Sequence, residues 1–224
     1  MRSSISSALA WAILALLALA LAAYWLPWID HQTAALKLSG QDLGEFVKFL
    51  PQIRRGQMSF PRQVFYLPPF VAALSLILIS TNRTLAYPRW ARIAALALAV
   101  LALPGLLPPV WGHPRDLFNA EFRLQGIALV LGLLATLSHG LWKGLPLHLA
   151  GWALGLLALL ALVPTQWAFW AIRPLIWQAY NTPTIHLGRG LLIEIVAWLG
   201  VIGCSIAIIR KARPQNTDTA GVHT

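Results

Sequence analysis

The feature that most constrains this chain is a succession of long runs of apolar residues without charge. The first is uninterrupted from Ala8 to Leu26, and five more follow a polar stretch that ends near Arg62. A helix needs ~20 such residues to cross ~30 Å of hydrocarbon, whereas a membrane barrel shows ~10-residue alternating segments, and no such alternation occurs here. The composition agrees: 58% of residues are hydrophobic, 11% are charged and the mean hydropathy is +0.67. Soluble domains carry about 25% charged residues. The expected class is therefore an all-α, polytopic membrane protein. Its six transmembrane helices are placed at about 8–26, 64–81, 93–111, 124–142, 147–169 and 190–209, forming a single domain over 1–210. The polar segment 211–224 is expected to be a disordered cytoplasmic tail.

Charge sets the orientation. Six spans put both termini on one side, together with the connectors 82–92 and 143–146. That side carries eight of the 17 Lys and Arg residues within short segments, while the opposite side carries five of the seven acids. By the positive-inside rule, both termini lie in the cytoplasm and the chain sits in the plasma membrane. The net charge of +10 then reflects interfacial anchoring and contact with lipid phosphates, not nucleic-acid binding.

The long polar stretch, 27–62, is expected to lie outside. Within it Leu43, Phe46, Val47 and Leu50 follow i, i+3, i+4, i+7 spacing, one face of a helix. Ser39 is placed as its N-cap with Asp42 three residues on, and Pro51 as its stop. This short amphipathic helix is read as a docking element for lipid, the other outer loops or a partner. Two stripes of small residues offer further contact surfaces: Ala12 and Ala15 on span 1, in line with Ala8 and Ala22, and Gly151 and Gly155 on span 5.

Candidate chemistry is sparse. His31, His113 and His186 fall in the three outer loops, and Glu194 is the one acid inside a span, a position that is costly unless it is paired or reached by water. These four are the catalytic candidates. The histidines lack the local spacing of a metal motif, so no metal site is assigned. Arg62, Arg123 and Arg189 open the even spans on the outer side, and their guanidinium forks suit an anionic ligand or headgroup. No nucleotide-binding, hydrolase or haem-attachment motif occurs, and no cofactor is specified. Cys204 is the single cysteine, which excludes an internal disulfide.

The general build, six spans with inner termini and an alanine stripe on span 1, resembles that of substrate-binding components of energy-coupling-factor transporters. It implies a non-catalytic subunit of a transport-type complex, with the bilayer and other membrane subunits as partners and an outer-facing ligand or partner surface. The alternatives are an enzyme acting on a lipid or lipid-linked substrate at the outer leaflet, and a scaffold subunit of an energy-transducing complex. Orientation is checked by cysteine labelling in intact cells: Gln52→Cys is expected to react with an impermeant thiol reagent and Gln215→Cys is not. The reverse pattern would invert the topology.

Overall fold

The computed structural model describes residues 7–31, 36–107, 113, 115–116, 119–180 and 186–212, with the side chain of His31 excluded. Five helical segments are long and apolar enough to cross a membrane: Ser7–Trp25, Arg62–Thr81, Arg89–Leu106, Leu147–Tyr180 and Arg189–Ala212. The first is α1 (Ser7–Trp25). Its buried residues Ala10, Ile13, Leu17, Ala20, Leu21 and Tyr24 recur at the helical period and make the inward face. α4 (Leu67–Thr81) continues from a 3-10 turn over Arg62–Tyr66 and is the central helix, buried along most of its length against α1 and three later helices. Pro68 and Pro69 occupy its first turn, where a missing N–H costs no intrahelical bond.

α5 (Arg89–Ala102) buries Ala91, Ala95, Ala99 and Ala102, one residue per turn, so its backbone comes close to α4. α7 (Leu147–Tyr180) and α8 (Arg189–Ala212) pack along one another. Gly151 and Gly155 make that contact possible. A Cβ at the first would stand 2.9 Å from Ile208, and at the second 2.8 Å from the Ser205 hydroxyl.

Two spans differ from the sequence reading. In place of 124–142 there is a 15-residue helix, α6 (Arg123–Leu137), followed by a 3-10 turn over His139–Gly144. At 1.5 Å per residue the α-helical part is about 22 Å long, short of a crossing by itself. The fifth span, expected to stop at 169, runs unbroken to Tyr180. Helix α7 passes through Pro164 and Pro174 for 34 residues, or about 51 Å. Burial of Phe169, Ile172, Leu175 and Ile176 at helical spacing offsets the hydrogen bond lost at Pro174.

The added length of α7 supports a cap of its own at one end of the bundle. β1 (Pro27–His31) and β2 (Leu36–Ser39) form an antiparallel pair. The segment before α8 joins the free edge of β1 through an Ile29–Leu187 bridge, with Asp30 N–H donating to the His186 carbonyl at 3.2 Å and Gly188 N–H to the Trp28 carbonyl at 2.8 Å. α2 (Gly40–Phe46), a 3-10 turn over Val47–Phe49 and α3 (Pro51–Arg54) complete it. Beneath them lies a second core, in which Tyr24, Trp28, Ile29, Leu43, Phe65 and Phe169 are fully buried.

Two glycines seat α8 on this cap by direct backbone contact. A Cβ on Gly188 would lie 2.0 Å from the Pro27 carbonyl oxygen, and one on Gly190 2.6 Å from that of Leu26. Neither obstacle is a movable side chain. Gly188→Ala or Gly190→Ala is therefore expected to lower the unfolding temperature of the purified protein by an amount matching at least the ~1–3 kcal/mol of ordinary overpacking. Gly203→Ala, on the same helix with nothing within 4 Å, is expected to leave it unchanged or higher. Equal behaviour of the three variants would remove the close approach as the cause.

Candidate functional site

The cap is joined to the bundle by a cluster of four charged side chains from three separate segments. Ser39 starts the arrangement. Its hydroxyl accepts from the Asp42 N–H at 3.2 Å while Asp42 Oδ2 accepts from the Ser39 N–H at 2.9 Å, a reciprocal capping box that fixes where α2 begins. From that start the helix turns Glu45 inward and Leu43 and Val47 into the cap core. Gly40 and Gly44 let α2 lie directly on aromatic rings, since a Cβ on either would be 2.7 Å from Tyr24 or Tyr66.

Glu45, 5% exposed, receives Arg62 Nη1 at 2.7 Å and the Tyr66 hydroxyl at 2.9 Å, both on Oε1. Its Oε2 pairs with Lys48 Nζ at 2.5 Å. The second amino group of Arg62, Nη2, donates to Oε1 of Glu121 at 3.0 Å and to the Glu121 carbonyl at 3.2 Å, and Lys48 Nζ reaches the same carboxylate at 3.1 Å. Phe122 places its ring within 6 Å of both cations, 5.9 Å from Lys48 Nζ and 5.7 Å from the Arg62 guanidinium. Two cations and two anions balance, so the cluster carries no net charge.

Burial works against ionisation of Glu45, but the hydrogen bonds from Lys48 and Tyr66 and the charges of Arg62 and Lys48 outweigh it and hold the carboxyl below its usual 4.5. Burial likewise disfavours the Lys48 ammonium, yet its bonds to Glu45 and Glu121 raise it above its usual 10.5. An acid whose pKa is lowered by folding contributes stability above its unfolded value and loses it as the pH falls through the folded value. A lysine raised by folding contributes below its unfolded value and loses it as the pH rises through the folded one.

Of the arginines singled out in the sequence, Arg62 is thus engaged within the chain, while Arg123 and Arg189 are exposed at the starts of α6 and α8. Glu194 is 1% exposed, and its Oε1 accepts from Trp198 Nε1 at 2.6 Å, one helical turn away. His113 is exposed, with its backbone N–H donating to Asp116 Oδ2 at 3.0 Å. His186 is exposed and contributes its carbonyl to the β1 edge, and the His31 side chain lies outside the described residues. Among the described residues no three His, Cys, Asp or Glu side chains come together as a metal site. The docking candidates divide. Leu43, Val47 and Leu50 are covered by the chain's own cap, and Phe46 is partly buried and stacks on Tyr180. Ala15 is exposed and Ala12 half-buried.

The chain matches no protein-family model, no curated protein and no solved structure. Its chemistry therefore rests on this geometry. Sequence reasoning reached Arg62 but not Glu45, Lys48 or Glu121, because the partners sit 17 and 59 residues from it and share no local motif. Arg62→Met is expected to destabilise the protein by roughly 1–3 kcal/mol, because the buried Glu45 carboxylate keeps Lys48 and Tyr66 but loses its guanidinium partner. The wild type is expected to lose stability below about pH 4.5 and the variant to lose less over the same range, measured as unfolding temperature against pH. Parallel curves would detach Glu45 from the cluster's stability.

Proposed function

We propose that this protein is a non-catalytic subunit of a transport-type membrane complex, crossing the bilayer six times with its cap outside and both termini in the cytoplasm. Direction supports the count. α1, α5 and α7 run toward the cap and α4, α6 and α8 away from it, as the contacts at each end require: Gly190 against Leu26 at the cap, and Tyr87 donating its hydroxyl to the Ala10 carbonyl at the other end. α6 joined to its 3-10 turn measures about 34 Å, from 1.5 Å and ~2 Å rises, which matches the hydrocarbon thickness.

The observation that carries the functional reading is the use made of the cap's buried charges. Arg62, Glu45 and Lys48 are consumed in holding the cap to the bundle, so the cap is a preformed surface and its polar core is not offered to a substrate. The alanine stripe supplies a second face. Ala8, Ala15 and Ala22 point away from the bundle on α1, where small side chains permit close approach of another helix. An enzyme acting on lipid-linked substrates would have to bring Glu194, buried and bonded to Trp198, together with His31, His113 and His186, of which His113 and His186 are exposed.

Purification in mild detergent, with identification of the accompanying proteins, tests this reading. Wild-type protein is expected to bring membrane partners with it. Ala15→Leu is expected to lose them while keeping its unfolding temperature, because Ala15 is exposed on α1 and the larger side chain displaces no buried neighbour. A solitary protein that turns over a lipid substrate by itself would overturn the proposal.

A further inference from the structure

Directly beside the ionic cluster, a cavity of about 240 Å³ opens between α4, the end of α5 and α6. Its walls are apolar: Val64, Leu67 and Phe70 on the α4 side, Leu106 after α5, and Leu124 and Ala128 on α6. Leu124 is itself exposed and stands at the rim. Three side chains break the pattern: Gln63, Tyr66 and Gln125 gather polar groups at one part of the lining. Gln125, only 2% exposed, lines the cavity, and neither its Nε2 nor its Oε1 makes a hydrogen bond. It lies beside the Tyr66 hydroxyl, whose proton is already given to Glu45.

A buried carboxamide without partners costs on the order of 1–3 kcal/mol, so this position is explained by something that satisfies both its atoms. Water meets this need only at the polar end formed by Gln125, Gln63 and Tyr66, and leaves the apolar walls of Leu67, Phe70, Leu106 and Ala128 without a partner. A charged head is poorly suited as well. The adjacent cluster is balanced at two positive and two negative groups, and Arg123 next to the rim is exposed and does not line the cavity, so the lining itself offers no countercharge.

We propose that this cavity is a binding site for a neutral membrane lipid with a hydroxyl head. Its O–H donates to Gln125 Oε1 and its oxygen accepts from Gln125 Nε2, so one alcohol completes both halves of the amide. The chain lies along Phe70 and Ala128 and leaves past Leu124 into the bilayer. The volume, roughly eight water volumes, holds a hydroxyl and the start of one chain, and the mostly apolar lining would leave the many hydroxyls of a sugar without partners. This site stands apart from the subunit reading and survives its failure.

The test uses full-length protein in phosphatidylcholine nanodiscs and three photoreactive probes of one length: hexadecanol, hexadecane and hexadecyl phosphate, each with a diazirine near the same end. Hexadecanol is expected to label segments 62–70 and 124–128 preferentially, while the other two label lipid-facing helices without enrichment there. Gln125→Leu is expected to reduce that labelling about tenfold, as loss of a neutral hydrogen-bonding pair implies, and to leave hexadecane labelling unchanged. Ala128→Phe, which fills the cavity and keeps Gln125, is expected to abolish it. Equal labelling of these segments by hexadecane or by the phosphate overturns the proposal, as does undiminished hexadecanol labelling in either variant. The comparison of the three probes on wild-type protein decides the matter even if a variant fails to fold.

Discussion

The guanidinium of Arg62 is the interaction on which the cap depends. A buried arginine is unfavourable unless its donors are used, and here one face of the fork serves Glu45 and the Gly44 carbonyl while the other serves Glu121 and its carbonyl. Those partners come from α2 and from the start of α6, so a single side chain at the head of α4 fixes two otherwise separate segments. Lysine at this position would provide one point charge and could not span both carboxylates in a plane. Lys48 closes the remaining side of the square, bridging the same two carboxylates, and the result is a neutral unit that tolerates the apolar ring of Phe122 beside it.

Around this tie the molecule has two cores with different sources of stability. In the bundle, a lipid-exposed helix gains little from burying leucine, so cohesion comes from close packing of small residues: the alanine ridge of α5, and Gly151 and Gly155 beneath Ile208 and Ser205. The cap core is aromatic. Trp28 meets Phe65 and Phe169 edge-on with ring centroids 6.5 and 6.3 Å away, and its Nε1 donates to the Ala23 carbonyl at 3.1 Å, so its polar atom is satisfied inside an apolar cluster. Tyr24 stands at the junction, buried in the cap core and donating to the Gly105 carbonyl after α5 at 3.3 Å. The junction therefore ties the end of α1, and the cap core with it, to the end of α5.

What the sequence disclosed followed from local rules. Uncharged runs marked the helices, and Ser39 with Asp42 marked the start of α2, because capping depends on residues three apart. Glu194 was conspicuous as an acid in an apolar run, and its partner Trp198, one turn later, was equally readable as an i, i+4 pair. Three features were hidden. The strand pair over PWIDH and LKLS is too short to show alternation, and its third edge comes from residues 186–188, more than 150 positions away in the chain. The second half of α7 was masked by Pro174 and by aromatic residues that read as an interfacial loop, although Phe169, Ile172 and Ile176 keep helical spacing. The seats at Gly188 and Gly190 were illegible because a glycine declares itself only through what its missing Cβ would meet.

The shortness of α6 connects the ionic cluster to the cavity beside it. Most of this helix faces outward, with Leu131, Leu134 and Leu137 all half-exposed or more, and its buried residues are Gln125, Gly126 and Gly132. Gly132 sits on Leu103, where a Cβ would be only 2.5 Å from the Leu103 side chain, so the middle of the helix is held by close contact. At its cap end the buried residues are Gln125 and Gly126. There the helix stands off from α4 by the width of the cavity, and the segment leading into it is held by Glu121 on Arg62 and Lys48. Glu121 is the half-exposed member of the cluster, the one whose pairing salt screens most readily. The same arginine that fixes the cap thus also ties the entry of α6 to the head of α4, next to the apolar space that Leu124 and Ala128 line.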